Sequence, residues 1–267
     1  MIAALLITLR ETLEASLVVG IILAYLNKTK NKKHGRFVWF GVLMGVLVSV
    51  VLAYVFERYL GGFEGAKEQI YEGITMLVAT VLLTWMILWM LRQRQHLKGN
   101  IEGKVSAHIE GDHPWGLFFL TFVSVVREGI ETVIFLKAVT LQSGGEGTFS
   151  GALLGILLAI LISFLLFKGV ARFPLRKFFT FTSVLLILFA AGLFAHAVHE
   201  FQEAYVLPIF IEHIWDLNSI LDENASFGAL LKGLFGYNGN PSLLEVLSYL
   251  AYLVVISVSW RLIDQKK

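Results

Sequence analysis

The chain has 267 residues, 57% of them hydrophobic and only 16% charged, with a mean hydropathy of +0.73. Ordinary soluble domains are about 45–50% apolar and about 25% charged, so this composition points to a membrane protein. The net charge of +2 gives no reason to expect a nucleic-acid partner, and the absence of cysteine excludes disulfides and thiolate metal sites.

Seven runs are long enough to cross a bilayer as helices, at about 3–26, 37–56, 72–91, 115–137, 149–171, 178–199 and 243–263. The first lacks a basic start and carries charges inside its apolar run, so it reads as a retained helix and not a signal peptide. Within it stands Arg10-Glu11-Thr12-Leu13-Glu14. Charge inside a span costs roughly 2.5–3.5 kcal/mol per residue on insertion scales, and its default reading is functional. The following loop, 27–36, is strongly basic. The second span opens with Gly41-xxx-Gly45, a spacing that lets helix backbones approach closely. Glu64, Glu68 and Glu72 precede the third span at four-residue intervals, as a solvated helix face or an entry ladder. Loop 92–114 is basic again and contains His96, His108 and His113, which read as solvated residues or a weak exit site.

The fourth span repeats the first motif as Arg127-Glu128-Gly129-Ile130-Glu131, and the fifth repeats the glycine pair as Gly151-xxx-Gly155. The sixth ends with His196, His199, Glu200 and Glu203 at i, i+3, i+4, i+7 spacing, which places them on one helical face. Imidazole with carboxylate suits a transition metal, so this face is a candidate external capture site or gate; a satisfied interfacial polar face is the alternative. Segment 205–242 is too long for a plain connector, and Ile209, Phe210, Ile214, Trp215 and Leu217 suggest an interfacial amphipathic helix there.

Charge sets the orientation. Sixteen Lys and Arg fall in loops 27–36, 92–114 and 168–177 and at the C-terminal end, against four on the other side. The positive-inside rule puts the N-terminus outside and the C-terminus in the cytoplasm. Twelve acidic residues collect on the outer side, as an acidic mouth that would concentrate cations or as a solvated acidic loop. The expected fold is all-α and polytopic, a single permease domain of seven transmembrane helices. Because each unit holds three spans, an odd number, the second unit enters the membrane upside down. The result is a 3+3 inverted repeat (about 1–91 and 115–204), followed by an outer loop at 205–242 and one extra helix at 243–263.

Each arginine lies four residues before its second glutamate and can orient it. If the motif helices cross, four carboxylates meet two guanidinium groups, and a di- or trivalent cation supplies the missing charge. Glu11, Glu14, Glu128 and Glu131 are therefore the candidate metal ligands, with Arg10 and Arg127 in support. Two buried ion pairs fixing helix register are the alternative, although buried pairs stabilise poorly and would leave Glu11 and Glu128 unpartnered. Oxygen ligands select hard cations without separating iron from manganese, magnesium or calcium.

Arg-Glu-x-x-Glu in spans one and four of a seven-span protein resembles the oxidase-dependent iron permease family, which comprises the fungal high-affinity and the bacterial Efe-type iron permeases. The family motif is usually R-E-G-L-E; here Thr12 stands for the first glycine and Ile130 for the second leucine. The stretches His199–Ala204 and Leu234–Tyr237 resemble the bacterial branch, and the similarity covers essentially the whole chain. The resemblance implies inward iron transport across the plasma membrane, with the motif glutamates as translocation ligands. It implies no enzyme activity and no cofactor, iron being the transported substrate. The lipid bilayer and separate extracytoplasmic iron-oxidising or iron-delivery proteins are the expected partners. A transporter of manganese or lead is one alternative reading; a membrane carboxylate–histidine iron oxidase is another.

Overall fold

The computed structural model describes residues 1–60, 64–93, 103, 105–106, 114–145, 147–168, 175–223 and 225–265. His96, His108 and His113 lie outside them, as does most of the basic loop 92–114. Among the described residues there is no strand. The helices are α1 (Ile2–Lys28), α2 (Gly35–Leu60), α3 (Ala66–Gln93), α4 (Pro114–Ser143), α5 (Thr148–Phe167), α6 (Leu175–Glu203), α7 (Ser226–Phe235) and α8 (Leu243–Asp264).

Five of them, α2, α3, α5, α6 and α8, are long and apolar enough to cross a membrane by length and composition. The chain is a multi-pass membrane protein. α1 and α4 are longer still than some of these, at 27 and 30 residues, but each carries the three charges of its motif in its interior. That is why composition passes five helices where seven were expected. The fifth span also ends earlier than expected, at Phe167.

Lipid is as apolar as leucine, so membrane helices associate by close packing rather than by leaving water. α1 lies along α5 and crosses α4, α2 lies along α4, α3 along α6, and α8 against α6. Small residues make the closest approaches. A Cβ on Gly41 would stand 2.7 Å from the Phe118 carbonyl oxygen, and one on Gly45 would stand 2.8 Å from Val125. Gly151 abuts the Met1 carbonyl in the same way, and Gly155 abuts Thr8 and the Leu5 carbonyl. The Thr8 hydroxyl donates across this second seam to the Ala152 carbonyl at 3.0 Å. Met76, Leu83 and Ile87 of α3, Phe135 and Val139 of α4, and Phe189 and Leu193 of α6 fill the main core. Exposed apolar stripes at helical spacing run outward, such as Leu43, Leu47, Val50 and Val51 on α2 and Leu250, Val254 and Val258 on α8.

The amphipathic helix expected over Ile209–Leu217 does not form; those residues are irregular. Their backbone groups bond to a distant segment instead of to each other. Ile214 donates to the Pro241 carbonyl at 3.0 Å, Leu217 to that of Gly239 at 2.8 Å, and Leu243 donates back to Ile211 at 3.1 Å. The amphipathic helix of this region is α7, a little further on, which closes on Gly236 in the left-handed region (φ 68°).

Candidate metal centre

The crossing of α1 and α4 brings the two motifs together. Glu11, Glu128 and Glu131 are all buried, and each offers a carboxylate oxygen within 4.8 Å of the other two. It is the one such trio among the described residues. Three points no more than 4.8 Å apart lie within about 2.8 Å of a common centre, close to the 2.3–2.6 Å of hard-cation oxygen ligands. Glu14, expected as the fourth ligand, stands outside the trio. Its Oε1 meets Arg10 Nε at 3.1 Å, and its charge acts on Glu128 and Glu131 from there.

The two arginines are matched in sequence and unlike in setting. Arg10 is fully enclosed; its Nη1 lies 3.7 Å from Glu11 Oε1 and its Nη2 contacts the Met90 sulfur at 3.6 Å. Arg127 is 42% exposed, donates to Glu128, stands 3.5 Å from Glu131, and lays its guanidinium over the Trp89 ring at 5.2 Å. Consecutive residues near the end of α3 therefore back the two motifs.

Eight buried nitrogen and oxygen atoms here make ion-pair contacts at most and no hydrogen bond: Arg10 Nε and Nη1, both Glu11 carboxylate oxygens, Glu14 Oε1, Arg127 Nε, Glu128 Oε2 and Glu131 Oε2. A buried polar atom left without a partner costs about 1–3 kcal/mol, more when charged. Five of the eight are carboxylate oxygens, and a hard cation is the group that satisfies several carboxylate oxygens at one point.

The α6 face is built differently. His196 Nε2 lies 3.5 Å from Glu200, and His199 Nε2 lies 3.1 Å from Glu203. The two imidazoles stack with centroids 5.5 Å apart. Glu203 also accepts from Gln69 of α3 at 2.9 Å. The N-terminal turns of α3, with Glu68 and Glu72, thus adjoin the C-terminal turns of α6, where Gly73 receives the Phe201 ring. These side chains are one another's partners and do not converge on one point as the trio does.

Glu245 is the residue the sequence reading missed. It is buried, receives His199 Nδ1 at 3.0 Å and Asn238 Nδ2 at 2.7 Å, and closes the capping box of α8 with Ser242. The Ser-x-x-Glu spacing signals the cap. The bond to His199, 46 residues away, has no local signal.

A family model described as "Iron permease FTR1 family" matches residues 1–262. A protein named "Ferrous iron permease EfeU" from Shigella sonnei (strain Ss046) is 36% identical over 264 residues, covering 98% of this chain and 96% of the relative. The protein of that name from Escherichia coli O157:H7 gives the same values, and the one from Yersinia pestis is 34% identical over 256 residues, covering 95% and 91%. No solved structure matches. The match takes in both Arg-Glu-x-x-Glu motifs and reaches residue 262 in α8, and the chain belongs to the FTR1 iron permease family.

Proposed function

We infer that this protein carries iron inward across the plasma membrane through the carboxylate trio of α1 and α4. The observation that carries the reading is the convergence of Glu11, Glu128 and Glu131 with their unsatisfied oxygens on one buried point. Glu14, Arg10 and Arg127 then orient and balance the ligands. His196, His199, Glu200 and Glu203 act as an outer capture face, passing cations from the acidic mouth toward the trio.

In this reading the chain spans the membrane seven times as a 3+3 inverted repeat plus α8, with its N-terminus outside and its C-terminus in the cytoplasm. Matched packing supports the repeat. Arg127 follows Arg10 by 117 positions, and Gly151 follows Gly41 by 110. Gly41 and Gly45 meet Phe118, Phe122 and Val125; Gly151 and Gly155 meet Met1, Leu5 and Thr8. Shifting Met1, Leu5 and Thr8 by 117 gives Phe118, Phe122 and Val125; Thr121 beside Gly41 and Leu9 beside Gly155 do not follow the shift. The charge bias of the loops supports the orientation. Extracytoplasmic proteins that oxidise or deliver iron are the partners this reading calls for.

Uptake of radioactive iron into proteoliposomes, with Fe(II) and Fe(III) offered in turn, tests the function. Absence of uptake above empty liposomes in both arms would refute it. Because the trio is all oxygen, manganese is the second reading, and the same vesicles loaded with radioactive manganese decide between them. An oxidase reading has less support, since among the described residues no imidazole joins the trio.

A further inference from the structure

α7 is a short, partly exposed helix set against the bundle. It packs against α6, α4 and α1, the helices that carry the capture face and the trio. Its cap Gly236 touches Gly192 of α6 backbone to backbone, so closely that a Cβ on either glycine would overlap the other's Cα. Gly192 stands one helical turn before His196. On the α4 side the Gln142 amide reaches the same point, 3.2 Å from where a Gly192 Cβ would be. Gln142 lies 11 residues beyond Glu131, about 16 Å along the helix. The end of α7 is therefore wedged between the α6 face and the buried trio.

The wedge is held by few and polar ties. Tyr249 of α8 donates its hydroxyl to the Phe235 carbonyl at 2.9 Å, and Tyr237 donates to that of Leu221 at 3.0 Å. Lys232, the one charged residue of α7, pairs with Glu223 at 3.2 Å and sits close enough to His196 to act on it electrostatically. Ten residues are too few for a helix to hold itself in water, and Gly228 and Gly233 weaken it further. Around Gly233 a Cβ would meet nothing within 4 Å. Gly228, by contrast, abuts the Asp222 carbonyl, so the helix is held near its start and at Gly236 and is loosest around Gly233, where a moving part needs freedom.

We propose that Ser226–Tyr237 is the outer gate of the permease, and that it must lift off the Gly192 seam for a cation to pass from the α6 face to the trio. Lys232, paired with Glu223 and near His196, would leave the α6 face with the helix. The proposal rests on the permease reading and on the orientation given above.

A reversible lock tests it. The Tyr249 ring spans the gap to the Phe235 backbone, so Phe235→Cys with Tyr249→Cys can be bridged by a short bifunctional thiosulfonate; the chain has no other cysteine. In proteoliposomes the bridge is expected to lower iron uptake about tenfold, with recovery on reduction. Bridged protein that transports as fast as unbridged protein overturns the gate. Unbridged protein compared with empty liposomes reports separately on the permease reading. Should the double variant not transport, a single cysteine at Leu234 answers the same question. Its labelling by an impermeant thiol reagent is expected to rise about threefold when iron is supplied, as the open state gains population. Equal labelling with and without iron overturns the gate.

Discussion

Arg10 and Glu14 stand one helical turn apart, Nε to Oε1 at 3.1 Å, with Arg10 wholly enclosed. The equivalent pair, Arg127 and Glu131, is longer at 3.5 Å, and its arginine is 42% exposed. One motif is therefore the tighter half of the site, and the two halves are expected to respond differently to the same substitution.

Arg10→Lys should be the more damaging of the two lysine exchanges. An ammonium cannot reach Glu11, Glu14 and Met90 together as the planar fork does. Arg10→Ala leaves buried carboxylates without compensation, at a cost of about 3–5 kcal/mol. Arg127→Ala, partly exposed over Trp89, should cost about 1 kcal/mol. Thermal unfolding of purified variants in detergent checks the order; equal losses would show that the two arginines are equivalent.

Glu11→Gln, Glu128→Gln and Glu131→Gln should each reduce iron uptake by more than about a hundredfold while the protein remains in the membrane, because shape is kept and the ligand charge is lost. Glu14→Gln, outside the trio, should lose about tenfold through a misplaced Arg10. Uptake by two or more trio variants at the native rate would rule out a shared site.

Glycine substitutions separate seam from surface. Gly155→Ala must push apart α1 and α5, and Gly45→Ala must push apart α2 and α4, each at about 1–3 kcal/mol. Gly233→Ala meets no neighbour and should be neutral or gain up to about 1 kcal/mol in helix propensity. Melting temperatures of the three variants provide the check.

The α6 face should set apparent affinity more than maximal rate. His196→Ala with His199→Ala is expected to raise the half-saturating iron concentration about tenfold with a smaller change in the plateau. An unchanged concentration dependence would remove the capture role.

Orientation can be tested in intact cells. A cysteine replacing Ser219, exposed in the loop after α6, should react with an impermeant reagent, and one replacing Lys33 should not. The reverse pattern would invert the topology, and labelling of both would break the span count.

Much of this was legible in the chain because membrane physics writes it locally. Spans appear as apolar runs, Arg10 and Arg127 mark the site by their cost, and the matched glycine pairs mark the seams. What was not legible depends on partners distant in sequence. The four-residue spacing pairs Arg10 with Glu14, but nothing near them says that Glu14 stays outside the trio while Glu131, at the same spacing from Arg127, joins it. The apolar pattern of Ile209–Leu217 favoured a helix, but Gly239 and Pro241 took its hydrogen bonds. Trp89 and Met90, adjacent on α3, separate two motifs that read alike.

The carboxylate shared by His199 and the first turn of α8 has a consequence for biogenesis. Ribosomes deliver α6 to the membrane well before Glu245 is made. Until then His199 lacks its buried partner, and Asn238 and the loop pinned at Gly239 and Pro241 have no fixed end. The face around His199 is thus completed only once α8 has been synthesised. A chain released before Ser242 would carry both motifs and the trio, yet leave the face around His199 unfinished and open to proteases.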